Sequence, residues 1–376
     1  MRVLHIMNEL APSGAETMLC IGAKVFQSAG VDATVLSTGS SIGSFSKEFK
    51  EAGYKVEHVV FGKSLAFFKE LYIFLRNSRF DIIHIHAERA NFWIGLVSLA
   101  ARPNKVIRTV HSNFLFNGNL RIRRLIQRRI LQWFGLVHVS IGPSVQANEL
   151  SRFGLKTTCI PNWYDDKSFL PTSVEEKCEA REMFKLPNDV PVIVSVGNCS
   201  PAKNHGVLLE AIAMFPPVKR PIYLHVGCEQ YKYPERILAE NLNIVDSVRF
   251  LGPLADIRPA LRAADIFVMP SHYEGFSIAA LEGLSSGLPA IFSDVPGLRD
   301  LKQVYDGLFW VQPDKVSVYD ALNDVLSLPA AARNQISQDY FNVRYQVKPF
   351  MLWIWISVIL ISFGGLISFT KKEYEK

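Results

Sequence analysis

Short apolar runs alternate with longer segments of helical spacing along the first half of the chain. Residues 2–7 (RVLHIM) have the character of a buried strand, and residues 15–30 repeat apolar positions at helical spacing and end on a glycine. Strands that alternate with helices predict a parallel sheet with crossover helices. The further strands predicted in this half lie at 31–38, 81–88, 105–112 and 136–144.

The pattern stops and then restarts near the middle of the chain. Residues 159–171 (CIPNWYDDKSFLP) contain two prolines and no periodicity, which is typical of an interdomain linker. A chain of 376 residues has room for two domains, which we place at 1–163 and 164–345. Two α/β domains joined by a short linker predict a ligand cleft between them. In the second domain strands are predicted in PVIVSVGN, IYLHVG, SVRFLG, ADIFVMPS and LPAIFSD, and a helix in NHGVLLEAIAMF.

Candidate site residues follow several of these strands. The turn at Gly14 comes after the first strand, and His86 and His111 lie where two later strands end. Ligands of parallel sheets collect at the carboxyl ends of the strands. A lone histidine at a strand end is often structural, so the prediction of a shared site rests on the convergence of all three.

Two glutamates in HYEGFSIAALEG lie eight positions apart, on either side of a predicted helix start. Glu274 falls in the loop after a strand, Ser277 can cap the helix, and Glu282 lies roughly 7–8 Å further along the helix axis. The unpaired N–H groups of a helix start suit oxygen-rich ligands, and a carboxylate can accept two hydrogen bonds from a vicinal diol. Either acid alone could be solvated; together they predict a site for an extended polyhydroxylated ligand.

A metal site is not expected. His84 and His86 point to the same face of their strand, as two metal ligands would. No third ligand lies near them in the sequence, and no Asp-x-Asp is placed to hold a metal-bound diphosphate. The pair is better interpreted as one core histidine and one site histidine.

The net charge limits the classes of partner, and the cysteine content indicates the cellular compartment. A net charge of +6 favours phosphate ligands, acidic lipids or nucleic acid. The five cysteines form no C-x-x-C pair, which is typical of reduced thiols in the cytosol. The first residues carry one charge and no long apolar run, so no secretory signal is expected.

Residues 350–369 form an apolar stretch of twenty residues without a charge, flanked by lysines. As a helix this stretch would span roughly 30 Å, the thickness of a bilayer core. It predicts a C-terminal membrane anchor of undetermined topology. A buried core helix, or a tail altered by a reading-frame change, would give the same composition.

Residues 119–135 predict a basic amphipathic helix with five arginines and apolar residues at helical spacing. Such a helix suits an anionic membrane surface. An ordinary surface helix that packs its apolar side on the core would show the same pattern. Nucleic acid is not expected as a partner, because no recognition motif accompanies the arginines.

The segment PSHYEGFSIAALEGLSSGLPAIFSDVPGLRD resembles the donor-binding signature of family 4 retaining glycosyltransferases, which have the GT-B fold. That pattern is a glutamate, seven residues, a second glutamate and a small-Gly-x-Pro turn, matched here at Glu274, Glu282, Gly287 and Pro289. The resemblance covers roughly residues 1–345 and implies two Rossmann-like domains facing across a cleft. Four more segments resemble family motifs in the same order: SGAE (13–16), TVHS (109–112), IPNWYD (160–165) and VGNCSPAKNHGVLLEA (196–211).

The resemblance implies a role for each matched residue of the second domain. Glu282 would hold the ribose hydroxyls of a nucleotide, and Glu274 would face the donor sugar. Lys203 would neutralise the diphosphate, where an ammonium offsets charge on the leaving group. The amides alongside the sugar would be those of Gly275, Phe276 and Ser277.

In the first domain the resemblance implies that His111 contacts the sugar near the reacting carbon. Gly14 would let the backbone approach the phosphates closely, and His86 would face the acceptor side. One position departs from the family pattern: Asn198 stands where an arginine usually reaches the diphosphate. Asparagine can donate a hydrogen bond but carries no charge.

The implied activity is transfer of a hexosyl or N-acetylhexosaminyl group, with retention of configuration, from a nucleotide-sugar. UDP is expected as the nucleotide, and no metal or other cofactor is required. The acceptor would be a saccharide or a lipid-linked sugar of cell-surface polysaccharide or glycolipid synthesis, met at the cytoplasmic face of the membrane. The alternatives are an epimerase or phosphorylase of the same fold, and a membrane-tethered scaffold with a decayed site.

Overall fold

Two parallel sheets carry the part of the chain that the computed structural model describes, which is residues 1–329 without Lys63, Arg89 and 304–307. The first sheet has the strand order β3-β2-β1-β4-β5-β6-β7. Its strands are Arg2–Met7 (β1), Asp32–Ser37 (β2), Lys55–His58 (β3), Ile82–Ile85 (β4), Lys105–Val110 (β5), Val137–Ser140 (β6) and Thr158–Cys159 (β7). The helices between them are Gly14–Ser28 (α1), Ser46–Glu51 (α2), Leu65–Ser78 (α3), Asn91–Ala100 (α4), Gly118–Trp133 (α5) and Pro143–Phe153 (α6).

The second sheet has the strand order β10-β9-β8-β11-β12-β13. Its strands are Val192–Val196 (β8), Ile222–Val226 (β9), Val248–Gly252 (β10), Ile266–Met269 (β11), Ala290–Ser293 (β12) and Phe309–Val311 (β13). The helices are Val174–Met183 (α7), His205–Ala213 (α8), Pro234–Asn241 (α9), Arg258–Ala263 (α10), Ile278–Ser285 (α11) and Lys315–Ser327 (α12), with short 3-10 turns at Pro217–Lys219, Val245–Ser247 and Arg299–Gln303.

The strand order gives each sheet a point at which the chain reverses its direction of travel, between β1 and β4 and between β8 and β11. Ligands of open α/β sheets bind outside the carboxyl ends of the strands at such a point. The two parallel-sheet α/β domains predicted from the sequence are confirmed. The exact boundaries at 163 and 164 stay a prediction; the structure has no helix or strand between β7 and α7.

Apolar packing continues from one domain into the other. Met18, Val110 and Ile141 of the first domain belong to the same buried cluster as Phe276 and Ile278 of the second. Burial of such side chains contributes roughly 25 cal/mol per Å² of apolar surface. The described halves are therefore held together by part of their core as well as by the linker.

The basic helix expected at 119–135 is present as α5, which buries Leu131 in the core of the first domain but only part of its apolar side. Arg128 is buried and its Nε donates to Glu149 at 2.8 Å, with Glu88 3.4 Å from Nη2. Ile122 and Ile126 are instead 59% and 50% exposed. A buried ion pair thus anchors the helix, and part of its apolar surface faces out.

The segment predicted at 350–369 lies outside the described residues. Within those residues, none of the helices has both the length and the apolarity that crossing a bilayer requires.

We expect Glu149→Gln to destabilise the protein by about 3 kcal/mol, because removing one partner leaves the buried Arg128 guanidinium undercompensated. Urea denaturation followed by circular dichroism would measure the loss. Glu51→Gln is the matched control, since its ion pair with Lys47 is solvent-exposed and contributes little. Equal losses in the two variants would contradict this account of α5.

Candidate functional site

A cleft of about 740 Å³ lies where the carboxyl ends of the two sheets meet. The two helix starts that follow β1 and β11 face it, as do the loops after β5 and β8. All the site residues predicted from the sequence line it except His86. The predicted residues in its wall are Gly14, His111, Asn198, Lys203, Glu274, Gly275, Phe276, Ser277 and Glu282.

Glu274 is fixed by contacts on its carboxylate and on its backbone. Its Oε1 accepts a hydrogen bond from Ser271 Oγ at 2.9 Å and lies 2.5 Å from Lys203 Nζ. Its carbonyl oxygen accepts from the amide of Asn113 at 2.6 Å, across the domain boundary. The residue is 9% exposed. The acid in the loop after β11 is therefore a positioned, paired carboxylate and not a solvated loop acid.

The loops after β5 and β11 touch through their backbones. A Cβ at Gly275 would lie 2.5 Å from the carbonyl oxygen of His111, so only glycine permits this approach. Asn162 Nδ2 donates to the carbonyl of Phe276 at 2.8 Å, one step further along the same loop. The residues predicted to flank a sugar are thus placed beside His111 by direct contact between the domains.

Two helices begin at the cleft. Ser277 caps α11, its Oγ accepting from Ala280 N at 3.3 Å, as the sequence predicted. Helix α1 begins at Gly14, and a Cβ there would lie 3.3 Å from Ile278 of α11. The positive ends of two helix dipoles therefore face the same space, which favours an anionic group there.

Glu282 lies one turn into α11 and is buried. Burial raises the pKa of its carboxyl from 4.5 to about 8, and the charge of Asp165 acts in the same direction. In the free protein at pH 7 the group is therefore mostly protonated. A carboxyl held in this way can exchange hydrogen bonds with a pair of hydroxyls at the wall of the cleft.

Lys203 follows β8, and its side chain lies over Gly197. A Cβ added at Gly197 would lie 3.2 Å from Lys203 Cε. Gly197 has a φ of 147°, and a Cβ on the neighbouring Gly227 would lie 2.3 Å from the Gly197 carbonyl. Asn198 occupies the next position, and its Oδ1 accepts from Cys228 N at 2.8 Å. Asn198, where the resemblance implied an arginine, therefore ties the ends of β8 and β9 together.

A chain of histidines leads from the cleft into the first sheet. Nε2 of His111 lies 2.9 Å from Nδ1 of His86, whose Nε2 lies 3.1 Å from Nδ1 of His5. Burial lowers the pKa of His111 to about 4 and that of His86 well below its usual value. His111 is therefore a neutral hydrogen-bonding group at pH 7. His86 is buried behind it, where it fixes the ring of His111.

The third histidine was not expected from sequence spacing. Pairing of β1 with β4 sets His5 beside His84, and nitrogen atoms of His5, His84 and His86 lie within 4.8 Å of one another. His84 and His86 therefore do have a third candidate ligand nearby in the fold, contrary to what their surroundings in the sequence indicated, and the expectation that no metal binds stays a prediction. Hydrogen bonds to His86 and Thr109 already engage His5 Nδ1 and His84 Nε2.

Two contributors to the cleft were missed by the sequence analysis. Arg258, at the start of α10, lines the cleft and is held by Asp256, with Nε–Oδ1 and Nη2–Oδ2 distances of 2.8 and 2.7 Å. Asn113 holds the Glu274 backbone from the other domain. No motif marks either residue; the only available signal was that Asn113 follows His111 at a strand end.

We expect Glu282→Gln to stabilise the free protein above pH 8. Between pH 4.5 and 8 the folded carboxyl keeps a proton that the unfolded chain releases, so stability falls as the pH rises across this range. Glutamine cannot ionise, so the variant escapes a cost of up to about 5 kcal/mol. The difference should vanish below pH 4.5. Thermal denaturation at pH 4, 6 and 8.5 would measure it.

Glu240→Gln provides the control, because this exposed carboxylate lies on α9, away from the cleft. Its stability should follow that of the parent at every pH. A Glu282→Gln variant that shows no pH-dependent gain would contradict the burial argument.

The chain is similar to several known proteins. Residues 12–168 match the family model described as Glycosyltransferase Family 4, and residues 176–340 match that of Glycosyl transferases group 1. EpsF of Bacillus subtilis (strain 168), which is assigned as a glycosyltransferase, is 28% identical over 317 residues, covering 78% of this chain and 79% of EpsF. The Escherichia coli UDP-Gal:alpha-D-GlcNAc-diphosphoundecaprenol alpha-1,3-galactosyltransferase is 26% identical over 270 residues, or 67% of this chain and 68% of that protein.

Among solved structures, Anabaena HepE in complex with UDP and glucose superposes with a TM-score of 0.79 at 18% identity, covering 95% of this chain and 98% of HepE. The glycosyltransferase WaaG, involved in lipopolysaccharide biosynthesis, superposes with a TM-score of 0.69 at 14% identity. The superposition covers 92% of this chain and 94% of WaaG. At these identities the structures support the two-domain fold alone.

Proposed function

Because the chain belongs to family 4 of the glycosyltransferases, we propose that it transfers a sugar from a UDP-sugar, with retention of configuration, to a saccharide or lipid-linked acceptor. The observation that carries this proposal is the convergence of Lys203, Glu274 and Glu282 with two helix starts in one cleft. That arrangement offers a cation and helix dipoles for a diphosphate, and carboxyl groups for hydroxyls on either side of it.

The proposed donor lies along α11. The ribose hydroxyls bind Glu282, the diphosphate faces Lys203 and the two helix starts, and the sugar faces Glu274. UDP-glucose is bound in a crystal structure of HepE, and the Escherichia coli relative is named for a UDP-Gal donor. These two proteins support UDP over other nucleotides. Lys203 and Arg258 are the lysine and arginine among the described residues of the cleft wall.

The proposed step breaks the bond between the anomeric carbon and the diphosphate oxygen. A bond to the acceptor oxygen forms on the same face, and the acceptor's proton passes to the departing phosphate oxygen. Lys203, released from Glu274, stabilises the charge that develops on the diphosphate. Neutral His111 hydrogen-bonds the sugar near the reacting carbon. No metal is required in this proposal, because the lysine and the helix starts supply the positive potential.

Membrane association is part of the proposal. On α5, Ile122, Ile126 and Trp133 recur on one helix face and are 59%, 50% and 81% exposed. Arginines flank this apolar stripe, as in helices that lie at an anionic membrane surface. A lipid-linked acceptor at the cytoplasmic face would explain the stripe and the predicted anchor at 350–369.

A panel of UDP- and GDP-sugars tests the activity. We expect membranes containing the protein to release nucleotide from one donor, faster with a lipid extract, and the rate to fall at least 100-fold in Lys203→Ala because the leaving diphosphate loses its counter-charge. Lys219→Ala, an exposed lysine of the same domain, is the control. An acceptor-independent reaction would favour an epimerase. A folded protein that neither binds nor turns over any donor would contradict the transferase and leave the scaffold.

Replacing Ile122, Ile126 and Trp133 with serine should weaken cosedimentation of the full chain with anionic vesicles several-fold, because less apolar surface enters the lipid interface. Serine substitutions at Val174, Met183 and Val218 form the matched control, since these apolar residues are at least as exposed but lie in the second domain. Equal binding by the two triple variants would argue against α5 as a membrane contact.

A further inference from the structure

A second cavity, of about 710 Å³, lies outside the cleft at the same edge of the first sheet. It is lined by residues of helices α3, α4 and α5, together with Phe61 and Ala90. Aromatic rings line one side and basic residues of α5 the other. The lining includes Phe61, Phe68, Phe92, Trp93, Arg123 and Arg124.

The aromatic side is a continuous apolar surface. The ring of Trp93 lies 5.8 Å from that of Phe68 and 5.1 Å from that of Phe92, measured between centroids. Trp93 is nevertheless 51% exposed. Covering large exposed rings with another apolar group removes apolar surface from water, which stabilises the complex. The surface therefore fits a hydrocarbon chain.

The basic side carries positive charge that the protein does not neutralise. Arg123 is exposed, and the Nε of Arg124 is buried without a hydrogen-bond acceptor. None of the described residues that line the cavity is acidic. An anion bound here would accept hydrogen bonds from Arg123 and Arg124, the two arginines that line the cavity.

Arg108 and Arg128 do not supply this charge, because they are offset by glutamates. Both arginines contact Glu88, and Arg128 also contacts Glu149. Those four groups are neutral as a set, so the charges of Arg123 and Arg124 stand in excess. A guanidinium pair suits phosphate oxygens in particular.

We propose that this cavity binds the lipid phosphate to which the acceptor sugar is attached, with the hydrocarbon chain on the aromatic rings and the phosphate on Arg123 and Arg124. The inference rests on the proposed transferase function and names its acceptor class. Ala90 lines the cavity and follows His86 by four residues, which span at most about 14 Å. His86 in turn contacts His111 of the cleft, so the cavity and the cleft are neighbours at the same edge of the first sheet.

Binding of farnesyl diphosphate to the full-length protein in detergent, measured by equilibrium dialysis, tests the cavity. We expect Arg123→Gln/Arg124→Gln and Trp93→Ala each to raise the Kd at least tenfold. Trp133→Ala and Lys219→Gln should leave it within twofold, since one alters the outer stripe of α5 and the other an exposed lysine of the second domain. Farnesol and inorganic diphosphate should each bind at least tenfold more weakly than farnesyl diphosphate. Arg123→Gln alone, at an exposed position, should raise the Kd about threefold even if the double variant fails to fold.

Three results would overturn the inference. The first is that the cavity variants bind farnesyl diphosphate like the parent. The second is that Lys203→Gln abolishes this binding, which would place the ligand in the cleft. The third is that inorganic diphosphate binds as tightly as farnesyl diphosphate. The experiment needs no nucleotide-sugar. A protein that binds farnesyl diphosphate through Arg123 and Trp93 yet releases no nucleotide keeps the cavity and loses the proposed transfer.

Discussion

The site depends on one close backbone contact, between Gly275 and the carbonyl of His111. It joins the loop after β11 to the loop after β5, and it leaves no room for a side chain. Hydrogen bonds from Asn113 and Asn162 to the adjacent carbonyls hold the same junction from the first domain. The histidine of one sheet and the glutamate loop of the other are therefore placed by the fold, and the cleft has its shape because the sheets meet here.

The electrostatics of the cleft follow from burial. The predicted site residues among its ionisable groups are neutral or paired: His111 is unprotonated, Glu282 is mostly protonated, and Lys203 is bound to Glu274. In a low-dielectric site an uncompensated charge would be costly. A diphosphate ligand would compete for Lys203 and leave Glu274 available to sugar hydroxyls, so binding of the donor would itself prepare the groups that the reaction uses.

Much of this could be predicted from the sequence, because strand ends and helix caps follow local rules. Gly14, His111 and Lys203 follow apolar runs, and Ser277 is a standard cap, so their meeting at one sheet edge required only the parallel topology. His5 could not be placed beside His84, since that depends on the register between β1 and β4. The burial of the Arg128 side chain could not be predicted either, because its glutamate partners lie far away in sequence.

A crystal structure of the protein with bound UDP would test the central assignment most directly. The account predicts the ribose hydroxyls at the Glu282 carboxyl and the diphosphate within hydrogen-bonding distance of Lys203 Nζ, close to the starts of α1 and α11. The same contacts should be absent in Glu282→Ala soaked with UDP. Nucleotide bound elsewhere, or bound with its ribose away from Glu282, would contradict the assignment of this cleft as the donor site.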